Sequence, residues 1–414
     1  MSDKGRAKGH GFEEGALKIE PLTLTEGAAM IVGANIGAGI LGLAYGARHA
    51  GWPILVFFLI FAGALTTISM LYVAETTLRT KKTLQLSGLA EKYVGQIGSW
   101  LMFASVVINS LGCLIAYTNG SGRILSEFLG VPTAVGSLIF FIPSLVVIWF
   151  GLRATGVAEK IITTGMIVLI LILVGATILG PGINLEHLKY SNWYFSIPVF
   201  SLAIFCYISQ YLVPELTRGF AAEGSNILWL PKAIVTGMAI TAILLIIVPM
   251  AAIGLTGPEE MTQVVTIAWG EALGQWAFFT ANAFALCAMI TSFWAVGETQ
   301  LTNIVDRLGF PSEWETKYRL IALALVAVPP FALAYSGWVS FVDAIYFAGA
   351  FAGAIMSVLP VMMLNKARKV GDREPEWVCG WISHPFIQGV LIFFFCGAAL
   401  YAILDILKIL PHGW

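Results

Sequence analysis

The chain has 414 residues, of which 58% are hydrophobic and 11% charged, and a formal net charge of −1. An ordinary soluble domain carries about 25% charged residues, so this composition and a mean hydropathy of +0.84 exclude a freely soluble globular protein. What remains is a multi-pass membrane protein with the lipid bilayer as its surroundings, and the lack of any basic block argues against nucleic acid as a partner.

Residues 1–24 are polar (Lys4, Arg6, Lys8, Glu13, Glu14, Lys18, Glu20) and lack the pattern of a cleavable signal, which reads as a short cytosolic tail. Crossing a bilayer takes about 20 mostly apolar residues. Eleven stretches qualify: 25–48, 52–78, 96–121, 132–152, 157–180, 193–215, 229–254, 274–303, 317–335, 338–365 and 384–408. Between the seventh and eighth, Gly257 to Gly274, with Glu259, Glu260 and Glu271, predicts an external amphipathic helix rather than a span. The expected class is therefore all-α, with 11 transmembrane helices.

With the N-terminus inside, the 23 Lys and Arg residues divide 19 to 4, and the external four are Arg48, Arg123, Lys189 and Lys408. That asymmetry satisfies the positive-inside rule and puts the C-terminus outside the cell membrane. Cys113, Cys206, Cys287, Cys379 and Cys396 form no CxxC pair, so neither a disulfide framework nor a zinc site is expected. No cofactor is expected either.

The first span holds four glycines between Gly33 and Gly42. Each costs a helix about 1 kcal/mol relative to alanine, so the helix is expected to open at mid-membrane. Exposed peptide groups there need a polar partner. The sixth span, Ser196 to Pro214, places β-branched, aromatic and polar residues between two prolines and predicts a second interruption. Breaks at spans one and six match an inverted five-plus-five repeat: 25–180 as the first unit, 181–365 as the second, and 366–414 as a cytosolic loop and eleventh helix. Free N–H groups at a half-helix start suit a carboxylate, and exposed carbonyls suit an ammonium group. The expected amino-acid site comprises Ala34, Asn35, Gly37, Ala38, Gly39 and Ile40 on the first span, and Ile204, Phe205, Tyr207 and Ser209 on the sixth. Tyr117 on the third span completes it.

Gly37 to Tyr45 (Gly-Ala-Gly-Ile-Leu-Gly-Leu-Ala-Tyr), followed by Ala50-Gly51-Trp52, resembles the first-span signature of the amino acid/auxin permease family, near its hydroxy- and aromatic amino acid permeases. Val213-Pro214-Glu215-Leu216 and Thr291-Ser292-Phe293 extend the likeness. The resemblance implies a LeuT-type fold and secondary active uptake of amino acids. By comparison with the LeuT-type sodium symporters, it also implies a sodium site from Gly33, Ile36, Ala288, Thr291 and Ser292, and a cytosolic gate pair of Lys18 and Asp306. Several members of the family use protons instead.

Each signal has a plainer alternative. Gly37-x-Gly39-x-x-Gly42 is formally a dinucleotide fingerprint, but it lacks a preceding strand. Gly33-x-x-x-Gly37 also suits helix packing. Thr291 and Ser292 can bond back to their own helix, and the aromatic residues can simply pack. Glu298 and Asp343 are intramembrane carboxylates near span ends, while Glu75 and Glu215 are expected to pair with Arg79 and Arg218. HExxH and GxSxG are both absent, which argues against an enzyme, and no charged ring or filter loop suggests a channel. The expected function is import of a neutral, aromatic or large apolar amino acid by a monomer, with sodium favoured over the proton. The alternative is a sensor or exchanger on the same scaffold without ion coupling.

Overall fold

Thr23 starts the first helix. Its hydroxyl accepts the Glu26 N–H at 3.3 Å while the Glu26 carboxylate accepts the Thr23 N–H at 3.0 Å, a reciprocal cap. The computed structural model describes residues 21–82, 84–150, 156–310, 315–410 and 413–414, without the side chains of 156–163 and 306. The expected gate pair of Lys18 and Asp306 therefore lies outside the described residues.

Helix α1 (Leu24–Asn35) stops at Asn35, and α2 (Ala38–Gly46) leaves at 50° to it after Ile36 and Gly37. There follow α3 (Trp52–Leu78), α4 (Leu86–Val94), α5 (Gln96–Leu129), α6 (Thr133–Phe150), α7 (Gly156–Leu179) and the short α8 (Leu185–Lys189). Next come α9 (Ser196–Phe205), α10 (Val213–Ala221), α11 (Trp229–Thr256), α12 (Val265–Leu273) and α13 (Gln275–Leu308). The series closes with α14 (Thr316–Tyr335), α15 (Phe341–Phe347), α16 (Gly353–Val370) and α17 (Pro385–Ile406). Among the described residues there is no β-strand. Nine helical stretches among them are long and apolar enough to cross a membrane, ten with the bent α1–α2 pair, and Thr164–Leu179 in α7 is a shorter apolar helix.

Helix α1 packs against α11, while α3 lies between α9, α11 and α16. Helix α5 is the centre of a second group with α6, α13, α14 and α15. A π turn, Ala348–Ala352, joins α15 to α16. There Gly349 lies against the Ser201 carbonyl, and a Cβ on it would meet the Phe205 nitrogen at 3.0 Å. No residue but glycine lets these two backbones approach so closely. Helix α12 lies where an external amphipathic helix is expected between the seventh and eighth spans, but Val265–Gly270, more than a full turn, are all buried, so it is enclosed by its neighbours rather than two-faced. Trp269 Nε1 donates to Thr177 Oγ1 at 2.9 Å, and Glu271 is exposed.

The acidic residues near helix ends are paired or capping. Glu75 meets Arg79 at 3.0 Å and Glu215 meets Arg218 at 3.8 Å, as their spacing predicts. Glu298 pairs with Arg319 at 3.5 Å. Asp343 caps α15 through the Ser340 N–H and accepts Trp414 Nε1 at 3.0 Å. In the loop after α16, the hydrogen bond from the Lys92 ammonium holds the Asp372 carboxyl below its usual range.

Candidate functional site

The α1–α2 interruption leaves a specific set of backbone groups open. The Ile36 N–H closes on Val32 O at 2.9 Å, and the Gly37 N–H turns back to Asn35 O at 3.2 Å. Gly33 and Ile36 carbonyls thus receive no backbone N–H among the described residues. Helix α2 starts at Gly37 without a side-chain cap. The N–H groups of Ala38, Gly39 and Ile40 therefore have no acceptor within their helix. In an apolar surrounding, uncapped amides at a helix start form an anion-binding end.

Three other elements converge on this point. A Cβ on Gly37 would lie 3.4 Å from the Tyr117 hydroxyl of α5. The Tyr117 side chain in turn neighbours Ser292 of α13, Cys113 and Tyr211. A Cβ on Gly39 would lie 2.5 Å from Cys206 Sγ and 3.3 Å from the Phe205 ring, so glycine is required where α2 meets the end of α9. Helix α9 ends at Phe205, and after Cys206–Ser209 a single turn, Gln210–Leu212, leads into α10. Gly37, Gly39, Tyr117, Phe205 and Ser292, all named from sequence, thus lie around one break.

Other expected residues face elsewhere. Asn35 Nδ2 donates to Met238 Sδ of α11 at 3.4 Å. Ile40 lines an apolar cavity of about 30 Å³ with Leu173, Trp269 and Phe284. Ile204 packs on Gly353 of α16. Tyr207 lies on Gly63 of α3, and Ser209 donates to Met70 Sδ at 3.5 Å, so both turn away from Gly37. Ala38 is buried, and Gly33 and Ala34 are half-buried.

Within the expected sodium set, the Thr291 hydroxyl donates back to the carbonyls of Cys287 at 3.2 Å and Ala288 at 3.1 Å. Ser292 faces Tyr117. Cys206 was not singled out as a site residue from sequence, because a neutral thiol in an apolar run carries no pattern. Its contact with Gly39 depends on the fold alone.

A family model described as the tryptophan/tyrosine permease family matches residues 22–401. The chain is 26% identical over 379 residues to the tyrosine-specific transport system 1 of Haemophilus influenzae, covering 86% of this chain and 91% of that protein. It resembles the Eremococcus coleocola manganese transporter, solved with an aromatic bis-isothiourea substituted compound, at a TM-score of 0.61 and 12% identity, over 94% of this chain and 89% of the other. It also resembles Mhp1, a nucleobase-cation-symport-1 family transporter solved closed with bromovinylhydantoin bound, at a TM-score of 0.61 and 14% identity, over 95% and 94%. At these identities the structural likeness concerns the fold alone, and these neighbours are LeuT-fold transporters.

Proposed function

The chain belongs to the tryptophan/tyrosine permease family, a family of amino-acid transporters rather than enzymes, and on that premise we propose that it imports an aromatic amino acid by sodium symport. The observation that carries this reading is the uncapped start of α2 beside Tyr117 and Phe205. The substrate carboxylate meets the N–H groups of Ala38, Gly39 and Ile40, where the helix end carries partial positive charge. Its ammonium meets the Ile204 and Phe205 carbonyls at the end of α9, of which the Phe205 carbonyl accepts one backbone N–H and keeps a second lone pair. The ring lies toward Tyr117 and Phe205.

The Gly33, Ile36 and Ala288 carbonyls, with the Thr291 and Ser292 hydroxyls, make a neutral oxygen shell for sodium. The scaffold in this proposal is the inverted repeat of 25–180 and 181–365, with its first and sixth spans broken at mid-membrane, followed by the loop and eleventh helix of 366–414. A monomer sits in the plasma membrane with its N-terminus cytoplasmic and its C-terminus outside. Rocking of one unit on the other alternates access. Lys18 and Asp306 form an exposed gate pair contributing about 0–1 kcal/mol. Exchange without ion coupling is the second reading, in which the Thr291 hydroxyl serves only its own helix through its bonds to the Cys287 and Ala288 carbonyls.

Uptake of labelled tyrosine and tryptophan into proteoliposomes, at fixed pH with and without a sodium gradient, tests the proposal. Sodium-stimulated uptake of both is expected. Uptake driven only by a pH gradient would replace sodium by the proton, and uptake that needs only internal amino acid would favour the exchanger.

A further inference from the structure

Gly413 and Trp414, which follow α17, tie two helices together at one end of the bundle. Trp414 Nε1 donates to Asp343 Oδ1 in the first turn of α15 at 3.0 Å, and its indole meets the Tyr346 ring edge-on with centroids 5.1 Å apart. Gly413 is buried against the first turn of α9, where a Cβ would come within 2.6 Å of Pro198 Cβ. Asp343 also accepts the Ser340 N–H at 2.9 Å, so its carboxylate keeps a partner if Trp414 leaves.

Both helices are short pieces that run into an irregular stretch. Helix α9 stops at Phe205, ahead of the non-helical Cys206–Ser209, and α15 leads into the π turn Ala348–Ala352. Helices bend at such interruptions, and π turns recur at functional sites. A third short piece, α2, starts at the α1–α2 break and closes against the other two. Its last residue, Gly46, lies between Leu202 of α9 and Val342 of α15, where a Cβ would meet their side chains at 2.3 and 3.1 Å. Pro198 is one turn from Leu202, and Asp343 follows Val342. The contacts of Gly413 and Trp414 therefore adjoin the packing that shuts this end over the start of α2.

We propose that Gly413 and Trp414 form a clasp on this gate, with Trp414 as a positioning residue that holds α9 and α15 closed over α2. The proposal rests on the transport reading above, in which this end faces outside and opens to admit substrate. Opening swings α9 and α15 apart about their interruptions, breaks the bond from Trp414 to Asp343 and lifts Gly413 from Pro198. The clasp favours the closed state alone, so its loss shifts the population toward the open one.

Cys206 reports on the gate, because its thiol is 1% exposed and lies against Gly39 beneath it. Cys379 is the reference: it is buried beside Glu75, ahead of α17 and thus at the opposite end of that helix from Trp414. Two single-cysteine forms of the full-length chain, purified in detergent, are compared with and without Trp414→Ala, Trp414→Phe and Gly413→Ala. The measurement is the rate of reaction with a water-soluble thiol reagent. Trp414→Ala is expected to speed modification of Cys206 about tenfold, the worth of one hydrogen bond to a charged group, and to leave Cys379 unchanged. Trp414→Phe keeps a ring and loses the N–H, and Gly413→Ala presses on Pro198, so each should give a smaller rise at Cys206 alone. An unchanged Cys206 rate would mean that the contacts only pack, and equal rises at both thiols would mean general loosening. Either result overturns the proposal. Should Trp414→Ala fail to fold, the other two variants decide by the same criterion. The assay needs neither amino acid nor sodium, so a failure of the transport reading, seen in uptake, is distinguished from a failure of the clasp.

Discussion

Glu75 and Arg368, 293 positions apart, meet in a two-pronged ion pair, Nε to Oε1 and Nη2 to Oε2, both at 2.8 Å. The carboxylate is fully buried. It also takes Arg79 Nε at 3.0 Å and the Cys379 N–H at 2.7 Å, so α3, α16 and the segment before α17 share one anion. Removing one partner of a buried pair costs about 3–5 kcal/mol. Arg368 is partly exposed, and Arg79 remains, so Arg368→Ala is expected to cost less, about 2–3 kcal/mol. Thermal denaturation in detergent measures this. Arg368→Lys should recover only part of the loss, because an ammonium cannot repeat the fork.

Gly39 and Cys206 give a steric prediction. A methyl at Gly39 would press on Cys206 Sγ at 2.5 Å. Gly39→Ala is therefore expected to abolish tyrosine uptake while the protein still reaches the membrane. Cys206→Ala removes the opposing sulfur and should restore a measurable fraction of uptake to the double variant. Radiolabel uptake normalised to membrane protein reads both. Full activity of the single variant would mean that α2 and α9 do not meet at the transport site.

Much of this arrangement was readable in the sequence, for identifiable reasons. The first break was legible because glycines carry a known helix penalty, and Ile36 and Gly37 are where α1 ends. Glu75–Arg79 and Glu215–Arg218 were legible because neighbours on a helix surface follow from spacing. Arg368 was not, since nothing local connects it to Glu75. Tyr207 and Ser209 read as pocket residues beside Phe205, yet they face α3. The chain at Cys206–Ser209 is not helical, so helical periodicity gives no direction for their side chains. The thiol contact at Gly39 left no pattern at all.

Arg319 joins three helices. Its Nη2 donates to Ile148 O at 2.6 Å and its Nε to Trp149 O at 2.7 Å, so it satisfies carbonyls in the last turn of α6. The same guanidinium stands 3.5 Å from Glu298 of α13, and both side chains are buried. Arg319→Leu strands a buried carboxylate and two carbonyls at once. A loss of about 3–5 kcal/mol is expected, read as a lowered Tm. Adding Glu298→Gln should return part of it, because a neutral amide tolerates burial better than an unpaired charge. A double variant no more stable than Arg319→Leu would mean that the carbonyl bonds, not the ion pair, hold α6, α13 and α14 together.

Thr291 separates the sodium reading from its plainer alternative. Its hydroxyl proton is directed to the Cys287 and Ala288 carbonyls, which leaves the oxygen lone pairs available to a cation. If it ligates sodium, Thr291→Ala removes one oxygen from a neutral shell. It should raise the apparent sodium constant about tenfold, equivalent to about 1.4 kcal/mol, with the tyrosine constant at saturating sodium little changed. Thr291→Ser keeps the oxygen and should stay near wild type. If the hydroxyl serves only its own helix, alanine is close to neutral for both constants, since the carbonyls keep their backbone bonds. Initial rates of tyrosine uptake over a sodium series, for wild type and both variants, distinguish a shifted ion dependence from no change.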